Sequence, residues 1–341
     1  MAMTDHRPAL LIAHHPSLDL IDDDALARID GVALVLDATP LGDWTEPRAD
    51  ALLARAEVIL GHWGCAPLDA SVIDRAPNLG LFAYAAGTIK NTIDPDVFGR
   101  NIRVTSGAVA NSEPVAEFTL ATILFANKDV FWQRDVRRTP RDGSLRQHRQ
   151  PHPVPVGNYD KTIGIIGASL IGRRVIELLA PFPHLSVALY DPFVSDTEAT
   201  DLGVTKMELD ELCAAVDVLS IHAPDLPSTR HMIAAPQLAA LRTGATVINT
   251  ARGALLDHDA LLAEVETGRL SAVLDVTDPE PLPEEHPLWA LPNVFITPHL
   301  AGSQGTELRR MIDHVVDEID RWRRGLPARN AITEDMLDRL A

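Results

Sequence analysis

Two series of short apolar strands, each alternating with helical or turn-rich segments, predict an α/β protein of two doubly wound domains. The first series runs to about residue 110 and the second begins at Thr162. Alternation of this kind yields parallel sheets covered by helices. A length of 341 residues fits two domains at roughly 100–200 residues each. An apolar fraction of 46% is enough to fill two cores.

The strands of the first series are ALLIAH from Ala9, VALVLDA from Val32, EVILGHW from Glu57, LGLFAYA from Leu79 and IRVTSG from Ile102. Between them lie segments such as LDASVIDRAP. A long apolar-periodic helix follows from Glu113 to Arg137, with Asn111 or Ser112 as N-cap and Pro114 just inside, a position where its missing N–H costs nothing. Thr139 to Gly157, rich in proline, histidine and arginine, reads as a solvated loop.

The second series comprises TIGIIG, VALYD, DVLSIHA, ATVINTA, AVLDV and VFITPH. The last helix, Thr306 to Gly325, is detached from any strand signal and is expected to return to the first domain. That assigns 1–110 with 303–341 to a flavodoxin-like domain, and 111–302 to a Rossmann domain inserted into it.

Charge narrows the function. A formal net charge of −18 leaves no basic patch to displace counterions from nucleic acid. Arg134 to Arg149 is the one basic concentration, and Arg321, Arg323 and Arg324 suit the last turn of a helix, where the dipole favours cations. Cys65 and Cys213 form no metal or redox spacing, and Cys213 reads as a small buried apolar residue. No apolar run approaches the roughly 18–20 residues of a membrane span. The N-terminus MAMTDHRPALL lacks the layout of a signal peptide. A soluble cytoplasmic protein without membrane or nucleic-acid partners is expected.

The run TIGIIGASLIG carries the most chemistry. A strand ends in Gly167, and a helix opens through Ser169, Leu170, Ile171 and Gly172. A helix opening on a glycine turn presents free N–H groups to a phosphate diester at the positive end of its dipole. Ser169 stands where the middle glycine of G-x-G-x-x-G would be, so its Cβ needs room beside a pyrophosphate. The next strand ends at Asp191, about two dozen residues on, where a Rossmann unit places the carboxylate for the ribose hydroxyls. That carboxylate repels a 2′-phosphate, and Pro192 to Ser195 supply no arginine to receive one. The expected cofactor is NAD.

Three later strands end in polar residues, where ligands of an open α/β sheet gather. ATVINT leads to Thr250-Ala251-Arg252-Gly253, AVLDV to Asp275 through Pro281 with Glu280, and VFIT to Pro298-His299. A guanidinium grips a carboxylate through two parallel hydrogen bonds. A histidine moves a proton, and a carboxylate fixes its tautomer. Arg252, Glu280 and His299 therefore make a set for reducing a keto acid.

The segments NTARGALLDHDAL, AVLDVTDPEPLP, ITPHLAGS, VDVLSIHAPDLPSTRHMI and ANSEPVAE resemble the signatures of the D-isomer-specific 2-hydroxyacid dehydrogenases, phosphoglycerate dehydrogenase among them. The resemblance is densest from Asn111 to Gly302. It implies that Arg252, Glu280 and His299 are the catalytic arginine, glutamate and histidine. It further implies that His222, Ala223, Pro224 and Thr229 line the adenosine side of NAD, and that Thr250, Ala251 and Asp275 face the nicotinamide ribose and carboxamide. Main-chain N–H groups at Ala86, Gly87 and Thr88 would bind the carboxylate of a small 2-oxo or 2-hydroxy acid, and a homodimer through the Rossmann domain is implied. Ala85 and Ile89 depart from the arginine and glycine of many relatives. For His62, Trp63, Trp132, His148 and His152, ordinary packing or solvent exposure is preferred over a place in the lining of a substrate pocket. Alternatives are an NAD(H)-sensing, corepressor-like protein and an enzyme that oxidises formate or phosphite on the same scaffold. The intact Arg, Glu and His set favours the dehydrogenase.

Overall fold

A computed structural model describes residues 6–136 and 155–339. The chain divides into two compact units, one built from residues up to 112 together with those from 303 onward, the other from 113–302. The segment 137–154, with His148, His152 and most of the basic loop, lies outside the described residues.

In the first unit β1 (Ala9–Ala13) leads through α1 (Asp23–Val32) to β2 (Leu34–Val35). Asp22 caps α1 by accepting from the Ala25 N–H. Strand β2 is far shorter than VALVLDA suggested. Helix α1 takes its first residue, and β2 is the edge of the sheet, where only one neighbour can hold it. Next come α2 (Ala49–Leu53), β3 (Val58–Gly61), α3 (Ala70–Asp74), β4 (Leu81–Tyr84) and β5 (Arg103–Ser106). These strands are parallel and in register, so that Ala13, Gly61, Tyr84 and Ser106 form one row at their carboxyl ends. Phe82, fully buried, anchors one face. Truncating such a side chain to alanine costs about 3–5 kcal/mol.

Helix α4 (Ala108–Asn127) starts before the expected Glu113, and α5 (Val130–Val136) is separate from it. Neither Asn111 nor Ser112 is the N-cap. The Ser106 hydroxyl accepts from the Ala108 N–H at 3.1 Å, and Pro114 lies inside the helix. The helix ends at Asn127, and Asp129 just beyond it takes φ 53°. Glu113 on α4 receives a two-pronged grip from Arg174, at 2.7 and 2.9 Å, which tethers the helix where its proline removes an internal bond.

The second unit contains β6 (Lys161–Ile166), α6 (Leu170–Leu179), β7 (Leu185–Tyr190), α7 (Asp196–Asp201), β8 (Thr205–Lys206), α8 (Leu209–Ala215), β9 (Val218–Ile221), α9 (Ala235–Ala240), β10 (Thr246–Asn249), α10 (His258–Glu266), β11 (Ser271–Leu274) and β12 (Val294–Ile296). The strand order is β12-β11-β10-β9-β6-β7-β8, and all pairings are parallel. The order reverses between β6 and β9, which puts the glycine turn at the switch point where such sheets bind ligands. Cys213 is buried on α8, and burial pushes its thiol up to about 11. The structure thus makes it the apolar filler its helical context implied.

The chain closes with α11 (Leu308–Arg323) and β13 (Ala331–Ile332), both in the first unit. Helix α11 buries Ile312, Val315 and Ile319 on the sheet face that carries Leu10, Leu60 and Ala83. Strand β13 runs antiparallel to β5. Glu318 fixes the approach to it by accepting from the N–H groups of Arg329 and Asn330 at 2.9 and 3.0 Å.

Candidate active site

The turn after β6 has the shape of a phosphate cradle. Gly167 takes φ +92°, and a Cβ there would lie 2.8 Å from the Ala223 nitrogen. A Cβ on Gly172 would lie 2.0 Å from the Gly167 carbonyl oxygen. Both glycines are therefore required. Ser169 adopts ordinary extended angles and caps α6, its hydroxyl accepting from the Gly172 N–H at 3.3 Å. Among the described residues the N–H groups of Leu170 and Ile171 meet no acceptor. A dinucleotide diphosphate fits that pair of donors at the positive end of the helix.

Asp191 is bound into the same turn. One of its oxygens accepts from the Ala168 N–H at 2.7 Å and the other from the Phe193 N–H at 2.8 Å. Beyond β9, His222 is buried, and its Nε2 lies 2.9 Å from the Ser220 hydroxyl. Burial pulls its imidazole down to about 3, so it is neutral at physiological pH. Ala223 is buried and Pro224 half-buried. The Thr229 hydroxyl donates to the Pro224 carbonyl at 2.6 Å and accepts from the Leu226 N–H at 2.9 Å. Thr250 is buried against Thr119, hydroxyl to hydroxyl at 3.0 Å, and Ala251 is buried beside it.

Arg252, just past β10, is half-buried, and one guanidinium nitrogen donates to the Ala251 carbonyl at 2.6 Å. Desolvation lowers its pKa, opposed by the charges of Asp225 and Glu280. A guanidinium stays charged under such a pull. Glu280 in turn lies 2.7 Å from His299 Nδ1. A carboxylate there keeps the proton on Nδ1 and leaves Nε2 for a reacting oxygen. The structure therefore brings together the arginine, glutamate and histidine that the sequence singled out on three separate loops.

His299 takes φ 53°, a left-handed conformation that a side chain other than glycine's adopts at a cost. The loop is held in place from beneath. Asp275 is only 2% exposed. Its Oδ1 accepts from the Thr297 hydroxyl at 2.6 Å and the Leu300 N–H at 2.8 Å, and its Oδ2 from the Ala301 N–H at 2.9 Å. Its carbonyl also accepts from the His299 N–H at 2.9 Å. This carboxylate holds the histidine loop from beneath.

Sequence reasoning passed over Asp225, whose charge reaches Arg252. It also passed over the ion pair of Arg230 with Asp278 at 3.0 Å, which ties down the loop carrying Glu280. Asp225 directly follows the flagged His222-Ala223-Pro224, and a carboxylate at a strand end was the available signal. Trp132 lines a different feature, a cavity of about 400 Å³ bordered by Lys161, Asp217, Thr246 and Ser271. Those residues sit at the amino ends of the strands, opposite to the groups just described.

In the first unit Ala86 is fully buried, while Gly87 and Thr88 are half-buried. Their carbonyl side is anchored by the Ser106 hydroxyl, which donates to the Gly87 oxygen at 2.9 Å. The N–H groups of Ala86, Gly87 and Thr88 have no acceptor among the described residues. His62 is fully buried, and its Nδ1 accepts from the Trp63 N–H at 2.8 Å.

The family model for the D-isomer specific 2-hydroxyacid dehydrogenase, NAD binding domain, matches residues 122–301. The chain belongs to the D-isomer specific 2-hydroxyacid dehydrogenase family. It is 34% identical over 260 residues to a D-3-phosphoglycerate dehydrogenase of Mycobacterium bovis, covering 75% of this chain and 46% of that one. The chain thus spans about half the length of that relative. With a glyoxylate reductase of Korarchaeum cryptofilum it shares 30% identity over 275 residues, covering 80% of this chain and 81% of the other. A crystal structure of a phosphoglycerate oxidoreductase from Rhizobium etli superposes with a TM-score of 0.75 at 26% identity, covering 96% of this chain and 98% of that one. Among the described residues no helix is long and apolar enough to cross a membrane, and no three histidine, cysteine or acidic side chains gather as metal ligands.

Proposed function

We propose that this protein is an NAD-dependent oxidoreductase that transfers a hydride between the nicotinamide and C2 of a small 2-hydroxy or 2-oxo acid. The observation that carries the reading is the 2.7 Å contact of His299 with Glu280, with the charge of Arg252 within reach of the same glutamate. When bound, the nicotinamide supplies or accepts the hydride at its C4.

The residues do the rest. Arg252 binds the substrate carboxylate. In reduction His299 passes a proton from Nε2 to the oxygen on C2 as the C–H bond forms, giving a hydroxy acid. In oxidation His299 takes that proton back. Glu280 holds the ring and balances its charge while both nitrogens are protonated. Asp191 would accept from the ribose hydroxyls and disfavour a 2′-phosphate, which supports NAD over NADP. The family resemblance supports a homodimer through the 113–302 unit.

Purified protein mixed with NADH and a panel of 2-oxo acids tests this by loss of NADH absorbance. The same panel is run with His299→Asn. We expect oxidation of NADH with at least one acid, and a fall of roughly 10²–10⁴-fold in the variant in both directions, with NADH affinity kept. As pH rises, reductive turnover should fall and oxidative turnover rise. Near-normal turnover by His299→Asn would refute the assignment. Binding of NADH with no turnover of any acid would favour the sensing role.

A further inference from the structure

The turn that carries Arg252 is built around one side chain. Asn249, the last residue of β10, is fully buried. Its Oδ1 accepts from the Ala251 N–H at 3.1 Å, and its Nδ2 donates to the Arg252 carbonyl at 2.9 Å. A backbone N–H only donates and a carbonyl only accepts, so the amide has a single orientation here. Arg252 itself donates to the Ala251 carbonyl at 2.6 Å. The peptide units 250–251, 251–252 and 252–253 are each pinned in this way.

The other side of the turn is closed as well. A Cβ on Gly253 would overlap the carbonyl carbon and oxygen of Thr277 and lie 2.5 Å from the Asp278 nitrogen. Backbone therefore meets backbone between the Arg252 turn and the loop that carries Glu280. Among the described residues the Arg252 guanidinium meets no acceptor besides the Ala251 carbonyl. No carboxylate fixes the fork from outside, so its placement comes from the backbone beneath it.

We infer that Asn249 is a positioning residue for the proposed reaction, setting the Arg252 backbone so that the guanidinium meets the carboxylate of the 2-oxo acid. This rests on the reading above that Arg252 binds that carboxylate. Asn249 touches neither substrate nor reacting atoms in this role, and acts through Arg252.

A double-mutant cycle tests it. Asn249→Ala removes both bonds. Asn249→Ser keeps an acceptor for the Ala251 N–H, since a serine hydroxyl closes the same two-residue turn, and removes only the donor to the Arg252 carbonyl. Each is made in wild type and in Arg252→Lys, which keeps the charge but not the fork. We measure kcat/KM for a 2-oxo acid that wild type reduces, at a temperature below the unfolding of every variant. Misplacement by about 1 Å costs on the order of 10²-fold, so Asn249→Ala should lower kcat/KM by that scale in wild type. Asn249→Ser should lower it about fivefold to tenfold, the scale of one hydrogen bond, and carries the comparison if Asn249→Ala does not fold. In the Arg252→Lys background each should cost less than about twofold, because the fork that Asn249 places is gone. Equal losses in the two backgrounds would show that Asn249 serves the fold alone and would overturn the inference, as would no loss in wild type. Wild-type kcat/KM in Arg252→Lys would instead overturn the carboxylate reading beneath it.

Discussion

Replacing Asp275 with asparagine should dislodge the histidine loop at a cost the geometry lets us work out. The carboxylate accepts three hydrogen bonds, two at Oδ1 from the Thr297 hydroxyl and the Leu300 N–H, and one at Oδ2 from the Ala301 N–H. An amide keeps only one acceptor oxygen. Its best placement sets the oxygen at Oδ1 and aims the NH₂ at Ala301, so one bond is lost and two donors face each other in a site 2% exposed. A hydrogen bond to a charged group contributes about 1.5–3 kcal/mol, and a stranded buried donor costs about 1–3 kcal/mol. The sum is on the order of 3 kcal/mol or somewhat more. For a unit of this size each kcal/mol lowers Tm by roughly 2–4 °C, so a fall of about 6–12 °C is expected. A displacement of His299 by about 1 Å would further cost on the order of 10²-fold in turnover. Thermal unfolding followed by circular dichroism, beside steady-state NADH oxidation, reads both. A Tm within 2 °C of wild type with unchanged turnover would show that the loop holds itself and that Asp275 does not position it.

Other substitutions probe the remaining parts. Asp191→Ala should relax the preference for NAD over NADP and weaken NAD binding, since the same carboxylate holds the Ala168 and Phe193 N–H groups; titration with both dinucleotides checks this, and an unchanged preference removes Asp191 from the ribose site. Ser169→Ala should cost about 1 kcal/mol of stability through loss of the α6 cap, seen in urea unfolding, while the affinity for NAD changes less than about twofold. His222 and His62 are each held neutral by burial, with values lowered to about 3. Below the ordinary value of 6.5 the unfolded chain takes up protons that the folded chain refuses, so stability is full above that pH and is lost as pH falls through the window toward 3. The slope is about 1.4 kcal/mol per pH unit per histidine, and urea midpoints at pH 7 and pH 5 should show it, with His222→Gln flattening the dependence.

The parts of the fold legible in the sequence were those set by local pattern. The glycine turn, Asp191, and the three strand-end loops with Arg252, Glu280 and His299 all announce themselves within a few residues of a strand. Their meeting also followed from order, because β10, β11 and β12 are consecutive neighbours in one parallel sheet. What eluded the sequence depends on distant partners. Helix α4 begins before its proline because the Ser106 hydroxyl caps it and Arg174 grips Glu113 across the unit. The inward turn of Asp275 depends on a loop more than twenty residues later. Strands β8 and β13, two residues each, are too short to leave any periodicity.

The left-handed backbone at His299 places stability and activity in opposition at a single position. Glycine adopts that conformation without the steric cost a Cβ incurs, and the imidazole it would remove is half-exposed, with a surface contact worth little to folding. Selection for thermal robustness alone would therefore drift toward glycine at 299 and silence the proposed chemistry. A library built to stabilise this scaffold has to hold that residue fixed, and a natural relative that has lost the histidine there would be expected to keep its fold undiminished.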